Sequence, residues 1–525
     1  MTSRDQGLSK PRLLLLVPLA VEAAAIRGAA PGALVVRTGR GRRRAEAAAR
    51  KAAGLQADAV AVAGFCGALR DGLRPGDVVV ATEVRSPDGA VVRCSAGPLV
   101  AALKALGIGN VHAGPIVSSE SLVRGAGRDA LAADGAVAAD MESAWLAGAA
   151  AGRPFAVLRV VVDSPSRELT QFLATSAGGL KAARSLRRAV PALSRWASAS
   201  ADRVVLLAGP RSFCAGAQRA IEIVERALER FGPPVYVRKQ IVHNAHVCAT
   251  LERAGAVFVD HLAALPPGSL CVLSAHGVSP RVREEAAERG VRVIDATCPL
   301  VGKVHREARR FADDGYSIVL IGHKGHDEVE GTTGEAPHTI HLVQTADQVA
   351  ELPLDRDDRV AFLTQTTLAI DEVEQVVAAL RCRFPYLVGP SSDDICYATS
   401  NRQHAVKDLA KVCDLVLVIG STNSSNSRRL VEITERDGCA AKLIEDENEL
   451  DPAWLVGAGT VGVTAGASAP NELVDRVVAA LASLGAVDVR EREAVHESMH
   501  FMLPPELRDD LEVECDGGDV TTEGR

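Results

Sequence analysis

The chain has 525 residues, 47% of them apolar and 24% charged, with a formal net charge of −7. That length holds more than one domain with its own core, and the acidic balance gives no electrostatic basis for nucleic-acid binding. Its eleven cysteines contain no CxxC pair and are too sparse for a disulfide scaffold, so reduced thiols in a cytoplasmic setting are expected. Aromatics at 3%, against abundant Ala, Val and Gly, suit α/β layers in close contact.

Residues 1–10 read as a disordered leader. Residues 11–26, PRLLLLVPLAVEAAAI, join basic residues to an apolar run, but Pro18 and Glu22 interrupt it short of the roughly 20 residues a membrane span needs. A buried first strand is expected, and no other segment reads as a span. From 11 to about 174, strands alternate with Ala-rich helices: LLLLVPL, ALVVR, AVAVAG, DVVVATEV and AVLRVVVD. Residues 176–203 supply a last helix and then a short linker, WASASADR. A new strand, VVLLAG, begins at Val204 and sets a boundary near residue 201. The chain thus divides into 11–200, 203–508 and an acidic tail, 509–525, read as disordered.

The second part repeats a strand–turn–helix theme. Strands ending in polar clusters recur in CVLSAHGVS (271–279), SIVLIGHKGHDEVEG (317–331), LVLVIGSTNSSNSRRL (415–430) and VGVTAGASAP (461–470). Ligands gather at the C-terminal ends of strands in open α/β sheets, so these clusters belong on one rim. Cys214, Cys298 and Cys396 each sit where an apolar strand is expected to give way to a helix, at separations far too wide for a zinc knuckle. Helix N-termini favour anions, so three such thiolates can hold a metal cluster and leave one metal open. Taken singly, a cysteine is more often a small buried hydrophobe, which is the reading for Cys248, Cys271, Cys382, Cys413 and Cys439.

With PRSFCAGAQRAI, VHN, SAHGVS, DATCPLVGKVH, GHKGHDEVEG, TQTTL, DDICYATSNRQ, NSSNS and TAGASAP in order, residues 203–505 resemble the 4-hydroxy-3-methylbut-2-enyl diphosphate reductase family. The resemblance implies a three-lobed, pseudo-threefold α/β fold around one [4Fe–4S] cluster, each lobe supplying one of Cys214, Cys298 and Cys396. It implies an allylic diphosphate substrate held by His243, His276, Ser424, Ser425, Asn426 and Ser468. His326 and Thr366 would align the substrate and relay a proton, and Glu328 would donate it. Asp327 and Glu330 are chemically possible rivals. No flavin or nicotinamide fingerprint is present, so electrons are expected from a ferredoxin or flavodoxin. An iron–sulfur electron carrier or redox sensor is the alternative, although neither needs a diphosphate site.

Three stretches of the first part carry a second likeness: AVAGFCGALRDGLRPGDVVVATEV (61–84), AADMESAWLAGAA (138–150) and RPFAVLRVVVDSP (153–165). They resemble the nucleoside phosphorylase/nucleosidase superfamily, which implies a ribose contact at Met141 and Glu142 and protonation of a departing purine by Asp163. The turn expected to be a small-residue glycine loop reads GFCGAL, with Phe65 and Cys66 intruding beside the nucleophile. The hopanoid-associated phosphorylases are a subgroup that would explain the fusion, with adenosylhopane as substrate. A non-catalytic oligomerisation module is the competing expectation.

Overall fold

Five consecutive apolar residues, Leu13–Val17, form a strand with no exposed side chain, as expected of a parallel strand covered on both faces. The computed structural model describes residues 13–165 and 172–508; the expected leader and tail lie outside the described residues. Leu13–Val17 pairs in parallel with Leu34–Arg37 and with Ala59–Ala68. From Ala59–Ala68 the pairing runs through Ala138–Asp140, Val111–Ser118, Val78–Arg85 and Phe155–Asp163, then returns to Ala59–Ala68. Five strands therefore close into a small barrel, and the first two extend it as a flange.

The expected glycine loop GFCGAL is not a loop. Ala59–Ala68 runs straight through it as one strand, with its register shifting between Cys66 and Gly67. Strand Val111–Ser118 was not expected, because Gly114 and Pro115 break its apolar pattern. Gly114 is required there: a Cβ would lie 2.6 Å from the Val137 side chain.

The stretch expected as a linker is also structured. Helix Pro191–Ser198 follows Phe172–Ala189, and its Trp196 is fully buried. Trp196 Nε1 donates to Ser95 Oγ at 2.8 Å, and Ser95 Oγ lies 2.6 Å from Ser483 Oγ. One apolar cluster therefore runs from Leu15, Leu103 and Trp196 into Leu450, Leu455 and Leu481 of the second part.

Residues 203–493 build three separate all-parallel sheets. The four-stranded sheet holds Val235–Arg238, Ala256–Val259, Leu270–Leu273 and Arg292–Asp295. The three-stranded sheet holds Ser317–Ile321, Ile340–Val343 and Val360–Thr364. The five-stranded sheet combines the first strand, Arg203–Gly209, with Leu415–Ile419, Ala440–Ile444, Thr460–Ala465 and Val487–Glu493. This second part thus starts and finishes its sheet strands in one lobe and visits the other two between. Among the described residues no helix is long and apolar enough to cross a membrane.

Candidate active site

Each of the three cysteines marks a passage between lobes. Cys214 leaves the five-stranded sheet and N-caps helix Ala215–Phe231, which packs on the four-stranded sheet. Cys298 leaves that sheet and N-caps Pro299–Asp313, which packs on the three-stranded one. Cys396 N-caps Tyr397–Ala410, packed back on the five-stranded sheet. The strand expected before Cys396 is absent; Phe384–Ile395 is an irregular segment between helices, touching the sheet through one bridge from Val388 to Ala361. Pro385 and Pro390 lack the N–H groups a ladder needs.

The thiols meet. A Cβ on Gly216 would lie 2.7 Å from Cys298 Sγ and 3.8 Å from Cys214 Sγ, so only glycine fits beneath them. Burial, reinforced by the neighbouring cysteines, pushes Cys298 up to about 12 and Cys396 up to about 11. Such a group of thiols becomes a set of thiolates only against a cation. The donor set therefore fits a thiolate-bound metal cluster.

The same cavity, of ≈ 110 Å³, is lined by Cys214, Cys298, Cys396, His243, His276, His326, Glu328, Thr366, Ser424, Ser425, Asn426 and Ser468. Five of these are helix N-caps, since His326 opens Asp327–Glu335 and Ser424 opens Ser425–Arg436. Five positive helix ends facing one cavity make it strongly attractive to anions. Asn426 is 5% exposed, yet neither its Nδ2 nor its Oδ1 has a partner, and His276 Nδ1 is likewise unpartnered. Buried amides rarely stay unpaired, so these atoms await a ligand.

The histidines form a compact group, with His243 and His276 stacked at 4.0 Å and His326 edge-on at 5.5 Å from His243. Burial and then the neighbouring imidazoles push His276 well down and His326 down to about 4. Burial also lowers His243, so the three imidazoles are neutral at neutral pH. Glu328, 2% exposed, accepts from Thr366 N at 2.7 Å and Thr366 Oγ1 at 3.0 Å. Burial outweighs these bonds and raises Glu328 to about 7, with the charge of Asp394 adding to the rise. Asp394, which the sequence reading passed over, is buried and bonded to Thr364 N and Lys303. Its signal was there in the DDIC motif, two residues before the third cysteine. Lys239 ties Asp327 and Glu330 into an ion pair outside the cavity.

Residues 205–482, more than half of the chain, match the LytB protein family. The chain belongs to the LytB family. It is 55% identical over 304 residues to the 4-hydroxy-3-methylbut-2-enyl diphosphate reductase of Zymomonas mobilis, covering 58% of this chain and 89% of that protein. It is 57% identical over 310 residues to the reductase of Acidothermus cellulolyticus, covering 59% and 91%. The Plasmodium falciparum E-1-hydroxy-2-methyl-but-2-enyl-4-diphosphate reductase structure superposes with a TM-score of 0.56 at 38% identity, covering 58% of this chain and 97% of that one. Outside the LytB region, residues 25–191 match the phosphorylase superfamily.

In that first region Asp163 ends its barrel strand and forms a buried ion pair with Arg128. Glu142 accepts from Gly41 N at 3.0 Å, and Met141 Sδ lies 3.3 Å from the Arg40 guanidinium. Sequence reasoning missed the centre of this region: Arg159, wholly buried, faces Asp140 at 2.8 Å and Glu142 at 3.8 Å. It also missed Glu22, read only as an interruption of the first apolar run.

Proposed function

We propose that this LytB-family chain is a two-part enzyme acting in the cytoplasm. Residues 203–508 reduce 4-hydroxy-3-methylbut-2-enyl diphosphate to isopentenyl and dimethylallyl diphosphates, and residues 11–200 act on a nucleoside. The observation that carries the first half is one cavity joining three N-capping thiols, a buried carboxyl group and the unpartnered side-chain atoms of Asn426 and His276.

Cys214, Cys298 and Cys396 would hold one [4Fe–4S] cluster, leaving one iron without a protein ligand. The chemistry such a group supplies when bound is electron delivery and Lewis-acid polarisation of the substrate hydroxyl. The diphosphate is assigned to Ser424, Ser425, Asn426, Ser468, His243 and His276, where short side chains let helix N–H groups approach. His326 and Thr366 orient the hydroxyl end. Glu328 gives the proton with which that hydroxyl leaves as water. It is favoured over Asp327 and Glu330 because it alone of the three lines the cavity, where burial raises it to about 7, while both rivals are paired to Lys239. Electrons are assigned to an external ferredoxin or flavodoxin. An electron carrier or sensor has no use for Glu328 or the orphaned amide of Asn426. Glu328→Gln tests the assignment: it should keep iron and bind substrate but lose most turnover, and near-normal turnover would refute it.

For residues 11–200 we infer glycosidic cleavage, with Met141 and Glu142 at the ribose and Asp163 as the proton source for the departing base. A 5′-extended nucleoside such as adenosylhopane fits the fusion with isoprenoid chemistry. Release of adenine by the full-length protein supports this reading. Loss of oligomers on removing these residues, without any nucleoside cleavage, would favour an oligomerisation module.

A further inference from the structure

The first region matches a superfamily named for phosphorolysis, yet the GFCGAL stretch, which the family resemblance places beside the nucleophile, is met by the protein's own carboxyl group. Glu22 is 1% exposed, and its two carboxyl oxygens are both used. Oε1 accepts from Phe65 N at 2.6 Å and Oε2 from Leu19 N at 2.7 Å. These N–H groups lie just past the first strand and within GFCGAL, where an incoming anion would look for donors. Gly64 is obligatory beneath them, because a Cβ would come 2.5 Å from both Glu22 Oε1 and the Arg159 guanidinium.

The cation is equally committed. Arg159 is bonded to Ser143 Oγ at 2.8 Å and faces Asp140 at 2.8 Å and Glu142 at 3.8 Å, with Glu22 alongside. One guanidinium thus serves three buried carboxyl groups. Burial raises Glu22 and Glu142, and the charge of Arg159 offsets that rise only in part. Arg128 is held by Asp163 and by the carbonyl of Ala68 at 2.6 Å. A phosphate placed here would gain no uncommitted cation among these residues and would meet carboxylates at short range.

We propose that the first region cleaves its nucleoside with water and not with phosphate, which rests on the reading of this region as a glycosidic-bond enzyme. The C1′–N bond breaks with its electron pair passing to the base nitrogen, and a water oxygen bonds to C1′. Of the two water hydrogens one stays on the new hydroxyl, and the other is matched by the proton the nitrogen gains. No other reactant is needed.

The test uses full-length protein with adenosine as probe, in phosphate-free buffer and then with inorganic phosphate, in oxygen-18-labelled water. Adenine release should proceed at the same rate in both, with free ribose as the sugar product carrying the label at C1. Release that depends on phosphate and yields ribose 1-phosphate would overturn the proposal while leaving glycosidic cleavage intact. No adenine release under either condition, from adenosine or from a 5′-alkylthio-adenosine run beside it, would overturn the underlying reading instead.

Discussion

Two side chains in the reductase cavity make opposite predictions. Glu328 sits near pH 7 because burial outweighs its two bonds from Thr366. In the proposed reaction it acts in its protonated form, so kcat should hold below that pH and fall about tenfold per unit above it. In Glu328→Gln the limb should vanish and kcat should drop on the order of 10²–10⁴-fold, the range for a lost general acid. A pH profile of kcat for both proteins checks this. Asn426 has no protein partner to lose. Asn426→Ala should therefore raise KM roughly tenfold, corresponding to about 1.4 kcal/mol, without lowering the melting temperature. A thermal scan beside the kinetics separates binding from stability.

At the scale of elements, the cavity is made by helix starts. The three cysteines are N-caps because each is the hinge at which the chain leaves one sheet and packs its next helix on another. Gly216 lets two of those helix starts approach. Gly216→Ala should leave the secondary structure unchanged but cut the iron retained per chain, since the added methyl lies 2.7 Å from Cys298 Sγ. Circular dichroism and iron analysis on the same sample decide it. This geometry was only partly legible. Cys214 and Cys298 follow apolar strands that any periodicity reading finds, and the polar strand ends announce a ligand rim. The approach to Cys396 was misread because Phe384, Tyr386, Leu387 and Val388 have the aromatic and apolar composition of a strand, while Pro385 and Pro390 exclude the segment from the ladder. Nothing local to Glu22 or Arg159 marks them as partners, for they are far apart in sequence and meet only when the barrel closes.

Across the whole molecule the two parts are packed against each other and not merely joined. Trp196, expected in a linker, sits in a core shared with Leu450, Leu455 and Leu481. Arg195 pairs with Asp451 at 3.1 Å, and a Cβ on Gly97 would strike Glu447 at 2.8 Å. Trp196→Ala should cost about 3–5 kcal/mol, the usual range for emptying a buried aromatic site. Deleting residues 1–200 should leave the reductase part prone to aggregate, because the face around Leu455 and Leu481 would become solvent-exposed. Size-exclusion chromatography of the truncated and full chains reads this directly.

The most direct measurement is anaerobic: iron and sulfide content of the purified chain, followed by reduction in the presence of 4-hydroxy-3-methylbut-2-enyl diphosphate. About four irons per chain, bound through three cysteines, together with five-carbon diphosphate products are expected. An intact cluster without turnover would contradict the reductase assignment, and no cluster after anaerobic reconstitution would contradict the role given to Cys214, Cys298 and Cys396.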